Sequence, residues 1–346
     1  MTHAQETPVF ARRAAPGCQS VRGRLVESMQ RRLTDGGYTV NGIDGIFGAG
    51  SERGLKAFQA DAGLPPSGVL DGVSWSCLFP EHPVPETFDL CLALTGTFEG
   101  HGYGLAVGNF DGAGVTWGII GFTLASGELA TVLGDIEARA PGSLSRAFGG
   151  LTDELRRVLG SDRARRIAWA DSISLGARKY RLREDWARGF ARLGATEPAQ
   201  AVQSARAREK FWRIAVRDAE RFGLTGPLGH ALCFDIAVQN GGINEIAEIR
   251  AAFDAEAHLD QRRRREIVAE KVAMGSREKY RQDVLNRKRC LALGSGTVHG
   301  SRYTLADWGL SDDDTEAETA LPSDLALMPT GGLRTGSGSS FRNPSP

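Results

Sequence analysis

The chain has 346 residues, 41% of them apolar and 24% charged, enough to bury a core in two domains or in one large domain with an appendage. Its 42 basic and 42 acidic side chains leave no net charge, so the bulk composition gives no attraction to nucleic acid or to an anionic surface. Five cysteines, at 18, 77, 91, 233 and 290, form no CxxC and no regular spacing, which argues against a disulfide framework or a zinc cluster.

Residues 1–19 read as a polar, disordered leader. They contain no apolar run of the kind a secretory signal needs, so synthesis in the cytoplasm without a signal peptide is expected. A compact unit is expected over 20–80. Leu25, Val26, Met29, Gln30 and Leu33 form one helical face, ended by Gly36–Gly37. The glycine-rich turn IDGIFGAGS (43–51) follows, and a second helix then carries Leu55 and Phe58–Gln59 on one side. GLPPSGVLDGVSW (63–75) leads into a short last helix closed by Leu78 and Phe79. EHPVPET (81–87), with two prolines among charges, reads as a linker.

A second domain is expected over 88–310. It begins with a helix and a glycine-interrupted, β-type region to 124, where TWGIIGF reads as strand, and continues as helices over 126–289. Leu129, Val132, Leu133 and Ile136 recur at helical spacing, with Ser126 able to cap the start and Pro141–Gly142 to stop the helix. TGPLGHALCFDIAVQNGG (225–242) is a mostly apolar helix, expected to run buried through the domain centre to Asn240–Gly241–Gly242. Cys91 and Cys233 sit inside apolar runs as core residues. The arginine runs at 163–166 and 262–265 read as solvated faces. Residues 311–346, acidic and then rich in Gly and Ser, read as a disordered tail. No stretch of about 18 apolar residues exists, so no membrane span is expected, and a monomer is the default.

Two carboxylates stand out. Phe88, Leu92, Thr95 and Glu99 are spaced 4, 3 and 4, so Glu99 continues an apolar stripe, where lost hydration moves an acid towards the range of a general acid. Asp111 opens the turn D-G-A-G, where backbone N–H groups and water can keep a carboxylate ionised. Two acids in environments that push their pKa values apart suit glycoside hydrolysis. Five residues separate Asp111 from Thr116, so an uninterrupted strand would point them to opposite faces; the turn can re-aim both into one cleft. Such chemistry needs no metal or organic cofactor.

The amino-terminal pattern of Gln30, Leu33, Gly37, Tyr38, Asp44–Gly45, Phe47–Gly48, Phe58–Gln59, Gly63–Leu64, Gly68, Asp71 and Trp75 resembles the peptidoglycan-binding domain 1 family. That resemblance implies a three-helix module found beside cell-wall hydrolases, with most of these residues serving as scaffold. DGAGVTWGIIGF (Asp111–Phe122) resembles glycoside hydrolase family 46, the chitosanases of the lysozyme-like superfamily. The resemblance implies that Glu99 is the general acid, Asp111 the base and Thr116 the residue that positions the attacking water. It also implies inversion, with the two carboxyl groups ~6.5–9.5 Å apart. Glu128 falls where the family carries an aspartate that holds substrate amino groups, though an acid in the first turn of a helix is also favoured by the dipole alone. His299, in the glycine-rich end of RKRCLALGSGTVHG (287–300), is a further candidate for substrate binding. The chitosanases carry an arginine and a tyrosine in the turn where this chain has Ala113 and Val115.

The expectation is a mainly α (α+β) protein, a three-helix peptidoglycan-binding module linked to a lysozyme-like, predominantly helical domain with a small β region. Its expected function is hydrolysis of the β-1,4 glycan of peptidoglycan, as a muramidase or endolysin would perform it. The expected partners are peptidoglycan strands and not nucleic acid, reached by holin-type release or delivery by a secretion system. A chitosanase with a wall-binding module is the nearest alternative, and a non-catalytic wall-binding structural protein the more distant one.

Overall fold

Helix follows helix through the computed structural model, which describes residues 8–100 and 102–312, with four small antiparallel sheets among those residues. The mainly helical class expected from the sequence holds. The chain divides into two compact units. One contains the described parts of 1–21, 25–90 and 214–346; the other contains 22–24 and 91–213. The division differs from the expected boundaries because the helices after 213 gather with the amino-terminal residues.

The amino-terminal part of the first unit comprises β1 (Val9–Ala11), α1 (Arg24–Asp35), α2 (Ala49–Asp61), β2 (Leu70–Asp71), α3 (Gly72–Leu78) and the start of α4 (Thr87–Phe98). The expectation of a disordered leader over 1–19 fails at β1, which pairs antiparallel with β2. Phe10 is buried and meets the edge of Trp75 at 6.1 Å. Arg12 anchors the next turn, its N–H donating to the Asp307 carbonyl at 3.0 Å and its Nε to the Asp307 carboxylate at 2.8 Å. Three residues are too few to show a period, which hid this strand. Residues 1–7 lie outside the described residues.

The α1 face forms as predicted, burying Val26, Met29, Gln30 and Leu33, while Leu25 stays half-exposed. The helix ends through Gly37 at φ 86°, with the Tyr38 N–H returning to the Leu33 carbonyl at 2.9 Å. Two buried glutamines then organise the turns. Gln30 donates to Asp44 Oδ1 (2.9 Å), the Ile46 carbonyl (3.0 Å) and Ser51 Oγ (3.0 Å), and accepts the Gly45 N–H at 2.8 Å. Gln59 does the same for the second turn, donating to Ser67, Val69 and Ser74 and accepting the Gly68 N–H at 2.8 Å. Each amide satisfies backbone groups that a glycine turn leaves unpaired inside the fold. The 81–86 stretch has no regular structure, and its Pro83 carbonyl accepts the Trp75 indole N–H at 2.9 Å.

The second unit holds the end of α4, then β3 (Ala106–Val107), β4 (Thr116–Trp117), β5 (Phe122–Thr123), α5 (Glu128–Arg139), α6 (Ser143–Phe148), α7 (Thr152–Leu159), α8 (Arg163–Ile173), β6 (Ser174–Leu175), β7 (Arg181–Leu182), α9 (Glu184–Gly194) and α10 (Glu197–Ala207). A π-helical turn (Arg208–Trp212) continues α10. α5 buries Leu129, Val132, Leu133 and Ile136 as its spacing predicts, and Ser126 Oγ accepts the Glu128 N–H at 3.3 Å. The core of this unit is aromatic: Phe148 and Trp117 both pack on Phe190, and Trp169 stands edge-on to Trp186.

The chain returns to the first unit after the start of α11 (Arg213–Phe222), followed by α12 (Gly226–Asn240), α13 (Ile246–Asp254), α14 (Gln261–Gly275), α15 (Arg281–Leu293), β8 (Ser295–Val298) and β9 (Ser301–Thr304). α12 is buried along most of its length and stops at Gly241, φ 75°, as expected. Its Asp235, wholly buried, accepts from Arg287 Nη2 and Lys288 Nζ of α15, each at 2.6 Å. The solvated-face reading of the arginine run at 262–265 fails at Arg265, which is 1% exposed. It shares a helix face with the buried Val268, Ala269 and Val272, donates to the Ala292 carbonyl at 2.8 Å, and pairs with Asp312. From residue 313 the expected disordered tail lies outside the described residues.

Candidate active site

The segment around the expected carboxylates is a three-stranded meander with β4 in the centre. Val107 pairs with Thr116, Ala106 with Trp117, Thr116 with Thr123 and Trp117 with Phe122. TWGIIGF is therefore not one strand, and that expectation is corrected. Gly118 (φ 90°) and Gly121 (φ 72°) fold the chain back between β4 and β5, leaving Ile119 and Ile120 buried in the turn. Left-handed glycines interrupt an apolar run that reads as continuous strand by hydrophobicity alone.

Asp111 and Thr116 belong to one hairpin. Asp111 is exposed in the loop between β3 and β4, where its Oδ1 accepts the Ala113 N–H at 2.9 Å. Thr116 is the first residue of β4, at the base of that loop, with its side chain buried. Its hydroxyl has no hydrogen-bond partner among the described residues. A buried hydroxyl left unpaired costs ~1–3 kcal/mol, so a water or ligand group taken up there would be well held.

Glu99 follows the last residue of α4 in a turn, half-buried, with its N–H on the Thr95 carbonyl at 3.0 Å. The predicted stripe is real up to that point, since Phe88, Leu92 and Thr95 are 1%, 3% and 1% exposed. The end of α4 lies directly against the β4–β5 turn. A Cβ placed on Gly96 would come within 2.5 Å of Ile119 Cδ1 and 3.2 Å of the Ile119 carbonyl oxygen, so a larger residue here would require Ile119 to shift. Glu99 is three residues further on. The helix end and the hairpin are thus packed as one body within this unit.

Two side chains that sequence reasoning passed over hold this arrangement. Gln203 of α10, fully buried, accepts the Ile119 N–H at 2.9 Å and donates to the Tyr103 carbonyl at 3.0 Å. It thereby joins the β4–β5 turn to the segment that follows Glu99. Asn109, also buried, accepts the Gly114 N–H at 2.8 Å and donates to Asp171 Oδ1 at 2.7 Å, while its own N–H reaches Ser174 Oγ at 2.9 Å. The amide closes the Asp111 loop and ties it to the end of α8. Asp171 also takes Lys179 Nζ at 2.7 Å. The Lys179 hydrogen bond, and then that of Asn109, hold its carboxyl below the usual range. Asn109 was visible only as part of NFDG; its partners lie 62 and 65 residues away.

Glu128 opens α5 with its side chain 18% exposed. Burial pushes its pKa up, but hydrogen bonds from Arg206 and Lys210 bring it down below the ordinary value. Arg206 Nε stands 3.1 Å from Oε2 and Lys210 Nζ 3.0 Å from Oε1. Both oxygens are engaged by cations of this chain, so Glu128 joins α5 to α10 and the π-helical turn. His299 belongs to the other unit, exposed at the tip of the β8–β9 hairpin with φ 48°. Thus Glu99, Asp111, Thr116 and Glu128 share a unit and His299 does not.

The family model for glycosyl hydrolase family 46 matches residues 95–268, half of the chain, and that for a peptidoglycan binding domain matches residues 22–78. Among solved structures, the chain is similar to a mutant chitosanase from Bacillus subtilis MY002 complexed with 6 GlcN, at 15% identity and a TM-score of 0.46, covering 64% of this chain and 100% of that one. The native chitosanase from Bacillus subtilis MY002 is 17% identical at a TM-score of 0.45, covering 64% and 99%. A Gynuella sunshinyii GH46 chitosanase in complex with chitotetraose is 17% identical at a TM-score of 0.44, covering 64% and 98%. No curated protein sequence matches the chain.

Proposed function

Because the chain belongs to glycosyl hydrolase family 46 and is a glycoside hydrolase, we propose that it hydrolyses the β-1,4 glycan backbone of peptidoglycan. The observation that carries the choice of substrate is the peptidoglycan-binding module at 22–78 on the same chain, which would hold the enzyme on the wall. No helix among the described residues is long and apolar enough to cross a membrane. Wall-acting domains suit release to the wall through a holin or a secretion system.

In the proposed mechanism Glu99, half-buried at the end of α4, protonates the leaving glycosidic oxygen. Asp111 accepts a proton from the water that attacks the opposite face of the sugar, giving inversion. The exposure of Asp111, together with the unpartnered hydroxyl of Thr116 at the base of the same loop, supports this division of roles. The Asn109 and Gln203 clamps keep loop, turn and helix end in register, which limits the reorganisation needed in the transition state.

Glu99→Gln and Asp111→Asn, each assayed on purified peptidoglycan, test the assignment. Each is expected to lower kcat at least ~100-fold, and near-normal turnover in either refutes it. A second reading, a chitosanase tethered to the wall, is favoured by the fit of Asp111–Phe122 to the chitosanase motif. Ala113 and Val115, where those enzymes carry arginine and tyrosine, weigh against it. Relative kcat/KM on peptidoglycan and on chitosan separates the two.

A further inference from the structure

The hairpin formed by β6 and β7 is bonded to the Asp111 loop and bears one sign of charge. The Gly108 N–H donates to the Tyr180 carbonyl at 2.8 Å, Asn109 reaches Ser174 at the hairpin's start, and the Phe110 and Tyr180 rings lie 5.3 Å apart. From Ser174 to Arg183 the segment carries Arg178, Lys179, Arg181 and Arg183 and no acid. Asp171 engages Lys179 at 2.7 Å, and Asp185 engages Arg183 at 2.6 Å. Arg178 and Arg181 are exposed and make no ion pair among the described residues. Between them Tyr180 is 51% exposed despite leaning on Phe110, and Leu175 is 42% exposed.

An open aromatic ring offers the apolar face that a pyranose packs on, and unpaired guanidinium groups favour carboxylates over ammonium groups. We propose that this hairpin is a glycan subsite selecting strands that carry carboxylate-bearing peptides, with Tyr180 supporting a sugar ring and Arg178 and Arg181 holding the peptide carboxylates. The inference rests on the peptidoglycan reading and adds a reason for the preference. Chitosan, a polymer of ammonium-bearing sugars, meets two uncompensated positive charges beside Asp111. The stem peptides of peptidoglycan present the complementary sign.

The test uses the full chain with three substrates: peptidoglycan sacculi, the same sacculi with their peptide carboxylates converted to neutral amides, and chitosan. Wild-type kcat/KM at low salt is expected to be about 10-fold higher on native than on amidated sacculi, the preference shrinking as salt screens it. The double variant Arg178→Glu/Arg181→Glu is expected to bring that ratio near one and to raise kcat/KM on chitosan. If charge reversal does not fold, as judged by melting curves, Arg178→Gln/Arg181→Gln is expected to move both quantities in the same direction. Tyr180→Ala is expected to raise KM more than it lowers kcat. A ratio unmoved by either double variant, with wall glycan still cleaved, overturns the hairpin's role and leaves the wall reading intact. Cleavage of chitosan alone by the wild type overturns both.

Discussion

Asp44–Gly45 and Asp111–Gly112 are the same dipeptide in two glycine-rich turns, one in each unit. Both glycines are left-handed, at φ 69° and 82°, and both aspartates accept an N–H two residues on, from Ile46 and from Ala113, at 2.9 Å. The difference lies in the buried amide that closes each turn. Gln30 reaches the aspartate itself, spending Asp44 Oδ1 on the scaffold. Asn109 passes Asp111 by, taking the Gly114 N–H and Asp171 instead, so Asp111 is left exposed with one backbone hydrogen bond. A D-G turn ties its carboxylate into the scaffold or leaves it open to solvent according to where its amide clamp points.

The largest effect separates the two turns by one substitution made in each. Asp111→Ala is expected to reduce turnover of glycan at least ~100-fold while shifting stability by no more than about 0.5 kcal/mol, as surface changes do. Asp44→Ala is expected to do the reverse, costing about 1–2 kcal/mol through the hydrogen bonds lost from Gln30 and Ile46 with turnover of soluble glycan fragments retained. Thermal melts and rates on the same fragments check both. Equal losses of activity in the two variants would erase the contrast.

Much of the fold was legible because helices announce themselves by period. The stripes of α1 and α5, the apolar run of α12 and the glycine stops after α1 and α12 all stand where spacing and composition put them. The D-G-A-G turn was legible too, and it stands between β3 and β4 with Thr116 at its base. What stayed hidden depends on partners far away in the chain or on segments too short to show a period. β1 is three residues long. Gln203, Asn109 and the cations around Glu128 act across 62 to 100 residues. Arg265 looked solvated because an arginine run hides which member faces inward, and only the register with Val268 and Val272 decides it.

A middle-sized effect tests the clamps. Asn109→Leu keeps the branched side-chain shape but removes both side-chain hydrogen bonds, leaving the buried Gly114 N–H unpaired. It is expected to cost ~1–3 kcal/mol and, by loosening the loop that carries Asp111, to lower kcat by roughly 10-fold with little change in KM. Gln30→Leu is expected to cost at least as much stability, because its amide makes four hydrogen bonds to the turn, yet to spare kcat on soluble fragments. A fall in kcat from Gln30→Leu matching that from Asn109→Leu would mean that the clamps are not distinguished by function.

The smallest effect concerns Glu128, the expected site residue whose oxygens the chain itself occupies. Its pKa is lowered in the fold: burial opposes ionisation, but Arg206 and Lys210 outweigh it. A lowered carboxylate pKa contributes stability that is complete above the unfolded value, about 4.3, and is lost as pH falls through the folded one. Glu128→Gln should therefore be less stable than the wild type by about 1 kcal/mol at pH 7, and the two melting temperatures should draw together as acid titrates the wild-type carboxylate through its lowered folded pKa. A gap that does not narrow on acidification, while an NMR titration shows the carboxylate taking up its proton, would show that packing, not the ion pairs, sets the difference. Were Glu128 instead a ligand for substrate amino groups, Glu128→Gln would raise KM on chitosan and leave the melting temperature where it was. The ion-pair geometry predicts the opposite pattern, with stability responding to pH first and substrate affinity least.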